Sequence, residues 1–305
     1  MTGSLTDVPG LAVGHAGCPR SRTGVTVIVP DAPAVMAVDV RGGGPGTRET
    51  DALDPANLVE RAHAIVLSGG SVFGLAAADA VALGLARRGR GLEVAPGLFV
   101  PVVPAAILFD LRNGGDKGWA ARADAEPPYR RLAQEALLSL SRAPAAGPVG
   151  AGLGARAGSR PGGVGMASAR LDEGGVVAVL AVVNSFGEVE EGEPPAEGAV
   201  PMPKLAAGLP ETLGASTTLA VVATDRPLTR AAARRLAMMG HDGLARAIRP
   251  VHAPYDGDVV FALSTAAETP AAVAPRLLTE LGTRAADCLV SAVRSAVAPA
   301  TGLPG

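Results

Sequence analysis

Gly214-Ala215-Ser216-Thr217-Thr218-Leu219-Ala220-Val221-Val222-Ala223-Thr224-Asp225 passes from small residues into an unbroken apolar run. Branched and aliphatic side chains without polar alternation describe a strand buried on both faces, Thr217 to Thr224. Asp225 can cap a helix starting near Pro227, and helices are expected over 229–248 and 271–297. Asp258 to Leu263 reads as a further strand. Long helices alternating with central strands predict a layered α/β architecture.

The same reading extends toward the N-terminus. Val176 to Val183 is a buried strand, and Gly24 to Val29, Ala34 to Val38 and Ala64 to Leu67 are short strands between glycine-rich turns. Ser68-Gly69-Gly70-Ser71 turns into a buried helix over Ala76 to Arg88, with Ser71 expected as its N-cap. Tyr129 to Arg142 is an amphipathic helix, and Asn57 to Ala62 is expected as a short helix behind Pro55. Val100 to Phe109 carries Pro101 and Pro104, which predicts an edge strand or an extended connector. Arg41 to Thr47 is a loop by composition. Ala143 to Gly165, nearly devoid of bulky side chains, is either a linker or a loop whose backbone approaches something closely. Gly187 to Leu205 is acidic and expected to be exposed.

Composition narrows the function. Lys+Arg 27 against Asp+Glu 29 leaves a net charge of −2, so no cationic surplus exists to neutralise a run of phosphates, and nucleic-acid binding is not expected. A hydrophobic content of 48% argues for a packed globule rather than a disordered chain. Cys18 and Cys288, at opposite ends of the chain, form neither a disulfide framework nor a zinc motif. Met1 to Gly10 lacks the pattern of a secretory signal, and the longest aliphatic run is far short of a bilayer span. A cytoplasmic protein without membrane segments is the expectation.

Few residues invite chemistry. Gly69 to Gly74 fails the Gly-x-Ser-x-Gly elbow because its fifth position is Phe73, and the triple glycine 42–44 lacks the Gly-Lys-Ser/Thr of a phosphate loop. His252, Asp256 and Asp258 have a spacing that a divalent ion could use, but His252 reads better as a structural histidine, and no metal is expected. Asp256 and Asp258, two apart on a strand, would share one face about 7 Å apart with Gly257 between them. Carboxylates so placed need a cation or a shared proton nearby. Asp256-Gly257 also reads as a plain turn. Thr217 by itself is an ordinary strand-starting threonine. As a new N-terminus, however, its own α-amine, with a pKa near 7.7–8.0, would be the base that its hydroxyl lacks. The new ammonium would also be the cation that the Asp256/Asp258 pair lacks.

At these residues the sequence resembles the self-cleaving N-terminal-nucleophile family of L-aminopeptidase/D-esterases, which includes β-peptidyl aminopeptidases and nylon-oligomer hydrolases. The resemblance is carried by Leu5 to His15, Asp39 to Glu49, Leu67 to Leu75, Gly162 to Gly165, Val183-Asn184-Ser185-Phe186-Gly187, Thr217 to Asp225, and Asp256-Gly257-Asp258 leading into Phe261 to Thr265. It implies one αββα sandwich over 1–305 that cuts itself between Ser216 and Thr217 into an α chain, 1–216, and a β chain, 217–305. Thr217 would be the nucleophile, Asn184 an oxyanion donor, and Asp256 and Asp258 the groups that orient the Thr217 ammonium and hydroxyl. Ser216 stands where members commonly have Asn or Gly. Arg160, in Arg160-Pro161, stands where some carry a lysine, and is the candidate for that charge. The absence of tyrosine from Pro104 to Asp110 favours the branch near the nylon-oligomer hydrolases.

The implied activity is cofactor-free hydrolysis of a small peptide or an ω-amino-acid amide oligomer by a homo-oligomer of αβ units. Two alternatives stand beside it: acyl transfer of the ornithine acetyltransferase type, and an uncleaved, inactive binding protein.

Overall fold

A computed structural model describes residues 1–192 and 216–297. Its principal strands are β1 (Leu11–Cys18), β2 (Thr23–Pro30), β3 (Val35–Val40), β4 (Thr47–Arg48), β5 (Ile65–Ser68), β6 (Ala105–Ile107), β7 (Gly163–Arg170), β8 (Val176–Asn184), β9 (Thr217–Thr224) and β10 (Val259–Ser264). The helices are α1 (Ala76–Ala86), α2 (Tyr129–Leu138), α3 (Arg230–Ala247) and α4 (Pro275–Ala296). One sheet runs β1-β2-β5-β6-β4 and the other β7-β8-β9-β10-β3. Each sheet is antiparallel except for one parallel pair, β5/β6 and β9/β10, and α1 and α3 lie within those two crossovers.

Alternation along each strand sorts side chains into three cores. Ile28, Ile65, Leu67 and Ala106 of the first sheet meet Leu180, Val182, Val221 and Phe261 of the second, and none is exposed. The opposite face of the first sheet, Val25, Val27 and Val66, packs on Val81, Leu132 and Ala136 of α1 and α2. The opposite face of the second, Val179, Ala181, Val222 and Val260, packs on Leu236, Leu244 and Leu289 of α3 and α4. This is the αββα sandwich, and it explains why β8 and β9 read as continuous apolar runs: neither face meets water. The glycine content serves the same packing. A Cβ on Gly165 of β7 would run into the carbonyl oxygen of Ala292, so only glycine lets α4 sit this close.

Four local expectations differ from the structure. Residues 57–62 form no helix; the Arg230 guanidinium takes the carbonyls of Asn57 and Val59, groups that a helix would have bonded internally. The helix after β9 starts at Arg230 with Thr229 as its cap, while the Asp225 carboxylate accepts the Val176 N–H across the sheet at 2.9 Å. Ser71 is not an N-cap. It sits at φ 52° after Gly70 at φ 89°, and α1 is entered through a 3-10 turn without a side-chain cap. Of Val100 to Phe109, Val100 closes a short strand, Leu98–Val100, and the one strand that lies wholly inside the segment is Ala105–Ile107. It lies between β5 and β4 rather than at the edge, with both prolines outside it. Of the acidic segment 187–205, the part from residue 193 lies outside the described residues.

Candidate active site

The first residue of β9 is Thr217, and its register partner on β8 is the last residue there, Asn184. Both are buried, at 2% and 4% exposure. Thr217 Oγ1 donates to the carbonyl oxygen of Ser216 at 2.5 Å. The backbone N–H of Gly257 donates to that same oxygen at 3.0 Å. One carbonyl thus carries a hydroxyl on one side and an amide donor on the other.

Asp256 and Asp258 are brought to this point, although by a different route from the one expected. They precede β10 instead of sharing a strand face: Ser216 pairs with Asp256 in a single parallel bridge, and the strand begins at Val259. Asp256 accepts the N–H groups of Phe186 and Ala253, each at 3.1 Å. Asp258 Oδ1 accepts the Thr218 N–H at 2.7 Å, fixing the residue that follows Thr217. Both carboxyls are 1% exposed. Burial, and after it the charge of Asp258, pushes the Asp256 carboxyl up to about 7, the direction expected of two adjacent buried carboxyls.

Asn184 is held at both ends of its amide. Its Oδ1 accepts the Arg156 N–H at 2.9 Å and its Nδ2 donates to the Phe109 carbonyl at 3.2 Å, leaving one N–H of the amide. Arg160 is not brought into the cluster: its guanidinium binds the Glu191 carboxylate at 2.9 Å and the Val189 carbonyl at 2.6 Å.

Two features complete the site beyond the roles that the resemblance implies. The glycine run 42–44 clamps the Asp-Gly-Asp turn, with Gly42 N–H on the Asp258 carbonyl, Gly43 N–H on that of Ala253 and Gly44 N–H on that of Asp256. A side chain at Gly42 would strike the backbone of Asp256 and Asp258. A glycine run that fails the phosphate-loop pattern was the available signal. The second is His252, whose Nδ1 lies 2.7 Å from Asp258 Oδ2. Among the described residues no three His, Cys, Asp or Glu side chains are arranged to hold a metal, and no helix is long and apolar enough to cross a membrane.

Comparison with known proteins identifies the family and the fold. An uncharacterized aminopeptidase of Mycobacterium tuberculosis is 44% identical over 346 aligned positions, which cover 99% of this chain and 96% of that protein. A 6-aminohexanoate-oligomer endohydrolase of Kocuria is 29% identical, covering 85% of this chain and 74% of its own length. The structure of an L-aminopeptidase D-Ala-esterase/amidase from Ochrobactrum anthropi, described as a variant of the Ntn hydrolase fold, matches with a TM-score of 0.73 at 21% identity. That match covers 97% of this chain and 86% of the other, and is one of fold. The sequence profile of peptidase family S58 spans residues 3–305, and the chain belongs to that family of amide-bond hydrolases.

Proposed function

We propose that this chain is a self-processing aminopeptidase or amidase whose nucleophile is Thr217, freed as an N-terminal residue by cleavage of Ser216–Thr217. The observation that carries the reading is the scissile carbonyl itself: Thr217 Oγ1 is 2.5 Å from its oxygen, and the Gly257 N–H polarises it from 3.0 Å. In self-cleavage Oγ1 adds to the Ser216 carbonyl carbon and the amide C–N bond breaks. The acyl group passes to oxygen while the nitrogen keeps the proton taken from the hydroxyl. Water then hydrolyses the ester, leaving the Ser216 carboxylate and a free Thr217 amine. The Gly257 N–H stabilises the oxyanion in that first step, a contribution typically on the order of 10²–10³ in rate for one such donor.

In turnover the free amine takes the Oγ1 proton, the substrate acyl group is held as an ester on Thr217, and water releases it. In this reading the remaining N–H of Asn184, the register partner of Thr217, donates to the substrate oxyanion. Asp256 and Asp258 receive the ammonium. No cofactor enters this scheme. The names of the relatives, an aminopeptidase and a 6-aminohexanoate-oligomer endohydrolase, support small peptides or 6-aminohexanoate-type amide oligomers as substrates. An assembly of several αβ units in the cytoplasm completes the reading.

Cutting before β9 does not release it. This strand and β10 lie between β8 and β3, so the two fragments stay joined by strand pairing on both sides. The test is an intact-mass spectrum of the purified wild type beside native chromatography. The 30.2 kDa chain should appear as masses of about 21 and 9 kDa that elute together, dividing in proportion to 216 and 89 residues. A single 30 kDa mass and no hydrolysis of 6-aminohexanoate dimer or aminoacyl p-nitroanilides would refute the reading.

The carboxyl pair gives a pH test on an uncleaved Thr217→Ala chain. With Asp256 raised to about 7 when folded, against 3.8 normally, the folded chain holds a proton that the unfolded chain releases between those values. The stability from this group is present at acid pH and is lost as pH rises toward 7. Asp256→Asn abolishes the loss. Urea melts should therefore show the Asn variant gaining about 2–3 kcal/mol over its parent between pH 5 and pH 8. An unchanged difference would place the proton elsewhere.

A further inference from the structure

We infer that His252 is the positioning residue of the self-cleaving site, holding Asp258 in place while the Thr217 amine is still locked in the peptide bond. The inference rests on the reading of Thr217 above and extends it to the uncleaved chain. Before cleavage the buried pair Asp256/Asp258 has no ammonium beside it. Among the described residues no lysine or arginine forms an ion pair with either; the one cationic type of side chain in contact is His252. Asp258 Oδ2 accepts two donors from that residue, the backbone N–H at 3.1 Å and ring Nδ1 at 2.7 Å. A carboxylate oxygen only accepts, so Nδ1 carries the proton. The other oxygen, Oδ1, is thereby turned to the Thr218 N–H. One carboxylate thus ties His252 to the strand that begins at the scissile bond.

The backbone is shaped for this double contact. His252 sits at φ 53°, in the left-handed region that few residues besides glycine enter and that histidine enters more readily than most. Its ring is fixed from behind by His241 of α3, which packs edge-on with ring centroids 4.7 Å apart. Burial pushes the His241 imidazole down to about 4, and its Nε2 faces the Asp39 carbonyl at 3.1 Å. His241 therefore supplies a neutral wall. It orients the His252 ring without competing for Asp258.

Two variants that tolerate positive φ separate donor from shape. His252→Gly removes the ring, and His252→Asn keeps an N–H close to where Nδ1 lies. Each would be made by cell-free synthesis beside wild type, and conversion of the 30 kDa chain into its fragments followed in time by mass spectrometry. The loss of one charge-assisted bond should slow self-cleavage of His252→Gly by about ten- to a hundredfold. His252→Asn should stay within about threefold of wild type. Equal rates for wild type and His252→Gly would overturn the inference. So would His252→Asn folding normally yet cleaving tenfold or more slowly, since ring packing rather than the donor would then matter. If His252→Gly does not fold, the His252→Asn rate alone decides. A wild-type chain that stays at 30 kDa overturns this inference together with the reading beneath it, and is recognisable because it fails without any substitution.

Discussion

Thr217→Ala should yield one uncut chain of about 30 kDa with hydrolysis reduced by about 10⁴-fold or more, whereas Thr217→Ser should still cut itself. The alanine variant loses two things at once. The hydroxyl that attacks the Ser216 carbonyl is gone, so no ester forms, and the α-amine that would serve as base is never released. Fold loss does not explain the result: the side chain removed is small, the neighbouring Thr218 and Leu219 remain fully buried in β9, and such a truncation costs about 1 kcal/mol. Thr217→Ser keeps the oxygen and deletes only the methyl, which leaves the nucleophile an extra rotamer but the same chemistry. Intact mass separates the cut and uncut chains without a known substrate. If Thr217→Ala still cleaves before residue 217, the hydroxyl is not the attacking group.

How much of this was legible depended on whether a signal lived on side chains or on backbone. Strands β8, β9 and β10 were read to within one residue, because a run such as Leu219 to Ala223 that is apolar on both faces has few alternatives to a central strand. The helices α3 and α4 followed from their apolar stripes. What misled were local signals without knowledge of partners. Pro55 and Asn57 open a plausible helix, but the carbonyls of Asn57 and Val59 go to Arg230, 173 and 171 residues away, and Asp225 is a good cap that β8 claims first. At the site, Thr217, Asn184, Asp256 and Asp258 are residue types that carry chemistry, and their convergence was expected from the resemblance. His252 stands in the sequence as a structural histidine or a metal ligand beside Asp256 and Asp258, and spacing alone does not say that its ring meets the Asp258 carboxylate directly. The Gly257 N–H was invisible for another reason: every residue but proline has one, and only the fold says where it points.

That amide makes Gly257→Ala the second large effect. Built on Gly257, a Cβ would lie 2.7 Å from Thr217 Oγ1 and 2.8 Å from the Gly44 carbonyl oxygen. The carbonyl belongs to the glycine run clamped onto the turn, so it gives way poorly, while the threonine hydroxyl can rotate. The strain is therefore relieved by driving Oγ1 off the Ser216 carbonyl or by lifting the turn and its N–H from that oxygen. Either displacement strikes the attacking atom or the oxyanion donor, and an error of about 1 Å in such geometry costs on the order of 10² in rate. Self-cleavage in a time course by intact mass should slow by about that factor, with the melting temperature lowered by only a few degrees, because the turn lies at the site and outside the three cores. Normal processing of Gly257→Ala would mean that neither the threonine rotamer nor the Gly257 amide limits the reaction. The donor for the scissile oxyanion would then have to be sought at the remaining N–H of Asn184.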